Sequence, residues 1–352
     1  MRIMPRTAFR AALFALCASL LVGSATAQNR IPAKEADTTR MMTYNIQWFH
    51  NGDNPDRITN LKTVLSNVAP DIVGVQEVEG RAALRQVFDT QWTIGMLDDP
   101  QEFQELGIAV RKPYQLESYE MLFTGPELDY AFPGKRDVLR AVVKTPQGNT
   151  LVVYVNHFKS RSGGRLSTDL QRQMAAGMLA SYIAYKKDEN VVLMGDFNDS
   201  PNDAMANILE SGNILAKGGE ANDYTLLANT VESLWEQDYV TIGLHDLFYG
   251  DPISPIVKGA KEDNDRLRGR DYRFPQDVKV TQTMMDQILV SPKLWARQVK
   301  SYVNVGNEAE KGLPGRVQVS EDERTGARTV KYLEKGTRAS DHVPVVADIK
   351  LR

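Results

Sequence analysis

Cysteine is nearly absent. Cys17 is the one thiol in 352 residues, so no disulfide can form within the chain and stability must come from an apolar core or from bound ions. Long apolar runs are equally scarce. Only Ala11–Val22 stands out, and it is too short to cross a bilayer. It follows Arg2, Arg6 and Arg10 and precedes the small residues Ala25-Thr26-Ala27, the order of a secretory signal peptide with Gln28 as the expected mature start. Leu16 is too large for the small residue that precedes a lipid-modified cysteine, so Cys17 is read as part of the signal. The expected organisation is a signal peptide over 1–27, a lead segment over 28–39 and one domain over 40–352, exported to the periplasm or the medium. A basic excess is missing as well. The formal charge is -3, and removal of residues 1–27, with three arginines and no acid, takes it to -6. Overall charge therefore does not make this chain a polyanion binder, and any contact with nucleic acid needs local basic groups or bound cations.

Histidine is rare too, at four residues: His50, His157, His245 and His342. None falls in an HxH or HExxH spacing, which excludes the usual zinc arrangements. No GxSxG elbow and no Walker loop occurs, which removes serine-hydrolase and P-loop chemistry.

What is present is a globular composition, 42% hydrophobic and 25% charged, enough for a large core. Short apolar runs read as strands at Met41–Ile46, Asp71–Val75, Ile108–Val110, Val138–Val143, Leu151–Val155, Val191–Met194, Ile288–Val290 and Val343–Ile349. Ile58, Leu61, Leu65 and Val68 fall at helical spacing before Pro70. A longer helix follows Ser167-Thr168, and its stripe Leu170, Met174, Met178, Tyr182 is expected to pack into the core. Strands mixed with helices predict layered sheets with helices outside. Two segments look like additions: a charged, Pro-containing loop over Asp251–Gln276 with Arg266, Arg268, Arg270 and Arg273, and a surface β-hairpin over Arg316–Leu333.

The polar residues of interest stand at strand boundaries. Asn45 and Glu77 close early strands, Asn156-His157 a middle one, and Asp196 and Asn198 follow Val191–Met194. Asp286 precedes Ile288–Val290, and Asp341-His342 precede the last strand. Any one of these has an ordinary reading as a turn former or a surface acid. Together they supply carboxylates, carboxamides and imidazoles, a set suited to a hard cation such as Mg²⁺ beside a phosphate.

The series Thr43-Tyr44-Asn45-Ile46, Val75-Gln76-Glu77, Val155-Asn156-His157-Phe158-Lys159-Ser160, Gly195-Asp196-Phe197-Asn198-Asp199, Met285-Asp286-Gln287-Ile288-Leu289-Val290 and Ser340-Asp341-His342-Val343-Pro344 resembles the endonuclease/exonuclease/phosphatase superfamily, the deoxyribonuclease I-like fold. The motifs run in family order from Thr43 to the C-terminus. The resemblance implies a four-layer α/β sandwich of two mixed β-sheets flanked by helices, with the active site at one end of the sheets. It also implies in-line attack of water on a phosphoester. On the matching positions, His342 is the general base and Asp286 the carboxylate that orients it. Glu77 is the principal ligand of Mg²⁺ (with Mn²⁺ or Ca²⁺ as substitutes), and Asn45 and Asp341 line the metal site. Asp196 positions water or the leaving oxygen, Asn198 and Asn156 donate to the phosphate, and His157 contacts the phosphate and can act as acid. Arg140 resembles a phosphate-binding arginine ahead of the histidine strand, and Lys159 and Arg161 are further candidates. Gln47 departs from base-repair relatives, which carry an acid there.

The expected function is a secreted, metal-dependent phosphodiesterase acting as a nuclease of low sequence specificity, a monomer with a phosphodiester substrate, nucleic acid first among candidates. A lipid-directed, sphingomyelinase-like phosphodiesterase or a phosphatase stays open, although the four tryptophans are too scattered for a membrane-inserting hairpin. A non-catalytic binding protein on the same scaffold would have lost Glu77, Asp196, Asp286 or His342, and all four are present.

Overall fold

The computed structural model describes residues 31–99, 102, 104–161, 165–237, 239–242, 283–303, 316–321, 328–334 and 338–352. Residues 1–27, read as a signal peptide, the whole of Asp251–Gln276, read as a charged loop, and His245 lie outside the described residues.

Two six-stranded mixed sheets form the frame. The first contains β1 (Thr38–Phe49), β2 (Ile72–Val78), β3 (Trp92–Met96), β4 (Glu105–Arg111), β11 (Val299–Val303) and β14 (Val345–Lys350), in the order β11-β14-β1-β2-β4-β3. The second contains β5 (Gln115–Leu122), β6 (Val138–Lys144), β7 (Thr150–His157), β8 (Val191–Asp196), β9 (Ala228–Asn229) and β10 (Asp286–Val290), in the order β5-β6-β7-β8-β10-β9. The parallel pairs are β1 with β2 and β7 with β8. Parallel neighbours need a crossover, supplied by helices α1 (Pro55–Val68) and α3 (Arg165–Lys186), with the short α2 (Arg81–Arg85) following β2. Asn54 starts α1 by accepting from the Asp56 N–H, and Ala69 ends it in a left-handed conformation just before Pro70. The expected hairpin is present as the antiparallel pair β12 (Arg316–Glu321) and β13 (Arg328–Glu334).

Alternation along the strands builds the layers. In the second sheet Leu151, Val153, Val155, Val192, Met194, Ile288 and Val290 share a core with the first sheet. Their neighbours Val152, Tyr154, Val191, Leu193 and Leu289 pack instead with Ala175, Ala176, Leu179, Ala180 and Ile183 of α3 and with α4 (Ala204–Ser211). On the far side, α1 packs Leu61, Val64 and Val68 into the cluster that holds the first sheet.

The stripe expected to bury α3 does so in its second half only. Met178 and Tyr182 are half-buried against the helix-side core, whereas Leu170 is 56% exposed and Met174 42%, and the alanines of the neighbouring face lie against the sheet. Small residues let the helix sit close to the strands, so the buried face of α3 is the less bulky one.

Candidate active site

Strands β7, β8 and β10 end side by side. Their register places His157 beside Asp196 and Asp286 opposite it. Paired residues share a face, and here it is the inter-sheet face continued from Val155, Met194 and Ile288. Three polar side chains thus stand in a row where the apolar interior stops. Asn45 reaches them from the first sheet, its Nδ2 donating to Asp196 Oδ2 at 3.0 Å and to Glu77 Oε1 at 3.1 Å. Its Oδ1 accepts from the Gln47 N–H at 3.0 Å.

Glu77 arrives there through a break in the strand. Strict alternation would send it with Val75 to the helix side, where Val75 and Leu84 crowd the same spot over Gly107. Instead the β1–β2 register shifts between Asn45 and Phe49, with φ of 61° at Glu77, 43° at Gln47 and 50° at Trp48. This bulge re-aims the carboxylate toward Asn45, with the left-handed strain that functional positions tend to store.

His342 is held from both ends. Its N–H donates to Ser340 Oγ at 3.1 Å, and Ser340 Oγ donates to the Asn45 carbonyl at 2.6 Å. Its Nδ1 lies 2.7 Å from Asp286 Oδ2, and a carboxylate can only accept, so Nδ1 carries the proton and Nε2 is the working atom. Nε2 lies 3.9 Å from Asp196 Oδ2. The start of β10 is pinned by the Thr241 hydroxyl, which accepts from the N–H groups of Met285 and Asp286. Asp341 and His342 sit ahead of β14, Asp341 accepting from Ser340 Oγ at 3.4 Å while His342 meets Asp286.

Burial sets the protonation of the cluster. It pushes Glu77 up to about 7, with the Asp341 charge adding to it and Asn45, His342 and Arg136 opposing. It pushes Asp196 up to about 6, against the pull of His342. Burial drives His157 well below the ordinary histidine range, reinforced by Arg136, His342 and Lys159. For His342 burial also opposes the charge, yet Asp286, Asp196 and Asp341 together hold its proton well above that range. The two histidines are therefore driven in opposite directions, His157 toward the neutral form and His342 toward the cation.

Glu77, His157 and Asp196 each offer a ligand atom within 4.8 Å of the others. Carboxylates raised by desolvation and by the neighbouring charges of Asp341 and Asp286 are the setting that a divalent cation relieves, and their oxygens suit a hard ion. The residues fit such a group.

Not every expected residue joins the site. Arg140 shares the helix-covered face of the second sheet with Tyr154, because alternation turns it away from Leu139 and Ala141; it pairs with Glu120 at 3.1 Å and Asp188 at 3.2 Å. The arginine that reaches the site is Arg136, Nη1 3.4 Å from His157 Nε2, in the loop entering β6. Sequence reading missed it, and the available signal was its position ahead of the strand rather than within it. Asn156 points away from His157 by the same alternation, its Nδ2 donating to the Asp196 carbonyl at 3.3 Å. Asn198, in a left-handed conformation, gives its N–H to Asp196 Oδ1 at 2.8 Å and its Nδ2 to the Phe158 carbonyl at 3.1 Å. Arg161 is buried and donates to the Asn198 carbonyl, Asp199 and Asp203, while Arg172 donates to the other Asp199 oxygen. These residues brace the turn that carries Asp196. Gly195 lets β7 and β8 meet there: a Cβ would lie 2.0 Å from the Asn156 carbonyl oxygen.

No curated protein matches the chain. Among solved structures, a humanized D. rerio TDP2 with 14 mutations superposes with a TM-score of 0.53 at 16% identity, covering 89% of this chain and 99% of that one. D. rerio TDP2 complexed with single-strand DNA product gives 0.52 at 16% identity, covering 89% and 98%. The endonuclease/exonuclease/phosphatase from Bacteroides vulgatus gives 0.50 at 16% identity, covering 90% and 99%. At such identity these establish the shared fold: two mixed sheets flanked by helices. The sequence itself matches the Endonuclease/Exonuclease/phosphatase family over residues 42–342, and the chain belongs to that family.

Proposed function

We propose that this chain is an exported, Mg²⁺-dependent phosphodiesterase acting on nucleic acid with little sequence preference. The observation that carries the reading is the His342–Asp286 pair, held 2.7 Å apart within a cluster that also contains Asp196, Glu77 and Asn45. Asp286 fixes the tautomer, leaving His342 Nε2 to take a proton from water. A base must be neutral, so the charges that hold the His342 proton in the resting site have to be offset. Glu77 and Asp196 would hold a divalent cation, with Asn45 and Asp341 lining the site as the family resemblance implies, and when bound it would supply that compensation and polarise the phosphate oxygens. Asp196, fixed by the Asn45 amide and the Asn198 N–H, is positioned to orient water or the leaving oxygen. Arg136 is the cation placed to receive a phosphate oxygen. His157, driven toward the neutral form and 3.4 Å from Arg136, is placed to contact the phosphate. Asn198 and Asn156 also brace the backbone around Asp196, through the Phe158 and Asp196 carbonyls.

The DNA product in the D. rerio TDP2 structure supports a nucleic-acid substrate, and the leader-like residues 1–27 support export. The test is an assay with Mg²⁺, Mn²⁺ or chelator against plasmid DNA, RNA, sphingomyelin and bis-p-nitrophenyl phosphate. Metal-dependent cleavage of DNA or RNA is expected, and turnover of sphingomyelin without nucleic acid would overturn the nuclease assignment. N-terminal sequencing of the exported protein should begin at Gln28.

A further inference from the structure

The outward face of α3 is unlike the rest of the surface. From Gln173 to Tyr185 the helix carries no charged residue, and Arg172 just before it is fully buried and paired with Asp169 and Asp199. Leu170, Met174, Met178 and Tyr182 follow one another at four-residue spacing along this face. With Tyr185, Phe123 and Ile214 they line an apolar groove of about 690 Å³. Tyr185 is 80% exposed, and Leu215 at the groove's margin 76%. A solvated helix ordinarily carries charges on its outer face, and a contiguous apolar one marks a contact surface.

The ends of the face carry opposite charge. Lys186 and Lys187 are exposed where α3 finishes, while the Asp188 and Glu189 that follow are paired with Arg140 and Lys293. Gln171, near the start, donates to the Tyr130 carbonyl at 2.8 Å, which brings the 126–132 loop with exposed Glu127 and Asp129 to that end. A surface that is acidic at one end, basic at the other and apolar between is complementary to itself when turned end for end. That is what a two-fold interface requires.

We propose that this face binds a second copy of the chain, two α3 helices packing antiparallel about a two-fold axis at Met178. In that arrangement Met178 meets the partner's Met178, Met174 meets the partner's Tyr182, and Leu170 lies near the stem of the partner's Lys186. Lys186 and Lys187 then reach the partner's Glu127 and Asp129 on both sides of the axis. The helix alone is about 33 Å long. Ile214 flanks it, and a standard interface buries about 800 Å² per partner. The site lies at the strand ends, and neither subunit lends a residue to the other's catalytic cluster.

The test uses the chain from Ile31 onward, which carries both sheets and every residue of the site and contains no cysteine. Sedimentation equilibrium is expected to show a concentration-dependent dimer. Met174→Glu with Met178→Glu should give a monomer of unchanged thermal stability and unchanged nuclease activity. Lys186→Glu with Lys187→Glu should weaken the dimer at least about tenfold, and adding Glu127→Lys and Asp129→Lys should restore it. Met178→Cys should form an intermolecular disulfide under mild oxidation. A chain that stays monomeric up to its solubility limit overturns the proposal. So does a dimer indifferent to the Met174 and Met178 changes, or a monomer that binds phosphatidylglycerol vesicles through this face.

Discussion

Asp196 and Asp286 face each other across the antiparallel β8–β10 pair, yet only Asp286 bonds to His342, at 2.7 Å against 3.9 Å for Asp196. Two carboxylates on one level of one sheet are thereby given separate tasks. One holds an imidazole, and the other, bonded to Asn45 and to the Asn198 N–H, is aimed at the open end of the site.

Asp286→Asn keeps the shape of that side chain but offers an amide where a carboxylate accepted. The imidazole loses its enforced tautomer, and kcat on plasmid DNA should fall by about 10²–10⁴-fold. His342→Ala should fall at least as far. Circular dichroism melts should show both variants folded, and retention of most activity in His342→Ala would sink the base assignment.

The two arginines should part company. Arg136→Ala removes the cation beside His157 and should raise KM for DNA or lower kcat by at least about tenfold. Arg140→Ala breaks partly exposed pairs with Glu120 and Asp188 on the helix side, at a cost of about 1 kcal/mol or less, with turnover unchanged. Equal losses in the two variants would contradict the face assignment.

That contrast shows how far the sequence could be read. Polar groups at strand ends were legible because an apolar run followed by Asp, Asn or His is a one-dimensional signal; the family motifs and the two-sheet sandwich follow from the same signals. Which face a residue takes was not legible. Asn156 and His157 are neighbours, and only the register of β7 against β8 shows that His157 joins Asp196 while Asn156 turns away. Glu77 reaches the site through a bulge that its local sequence does not announce. The α3 stripe was legible only in part: Met178 and Tyr182 pack against the core, but close packing against the sheet selected the alanines and left Leu170 and Met174 exposed.

Gly195→Ala tests the closeness of β7 and β8. The added methyl meets backbone, not a flexible side chain, so the strand ends must separate. A loss of about 1–3 kcal/mol in urea unfolding is expected, with a larger proportional loss of activity because Asp196 is next in the chain.

Glu210 on α4 should give the stability curve a slope far from the active site. Burial, then the charges of Glu232 and Asp223, push its carboxyl from 4.5 up to about 9. The folded state therefore holds a proton that the unfolded chain releases, so its contribution is full below about 4.5 and is lost as pH rises toward about 9. The loss should be on the order of several kcal/mol across that window. Glu210→Gln should flatten the curve in urea titrations, and an unchanged slope would show that the proton resides elsewhere.

His157, Asp196 and Asp286 come from three neighbouring strands at one level. Sliding any of these strands by a single residue would swing its polar group to the helix side and put an apolar or amide side chain in its place. Turnover is thus a gauge of strand alignment: a collapsed chain with native helix content but loose sheets would be chemically silent. Recovery of activity during refolding should lag recovery of the far-ultraviolet signal and coincide with the final locking of β8 between its two neighbours.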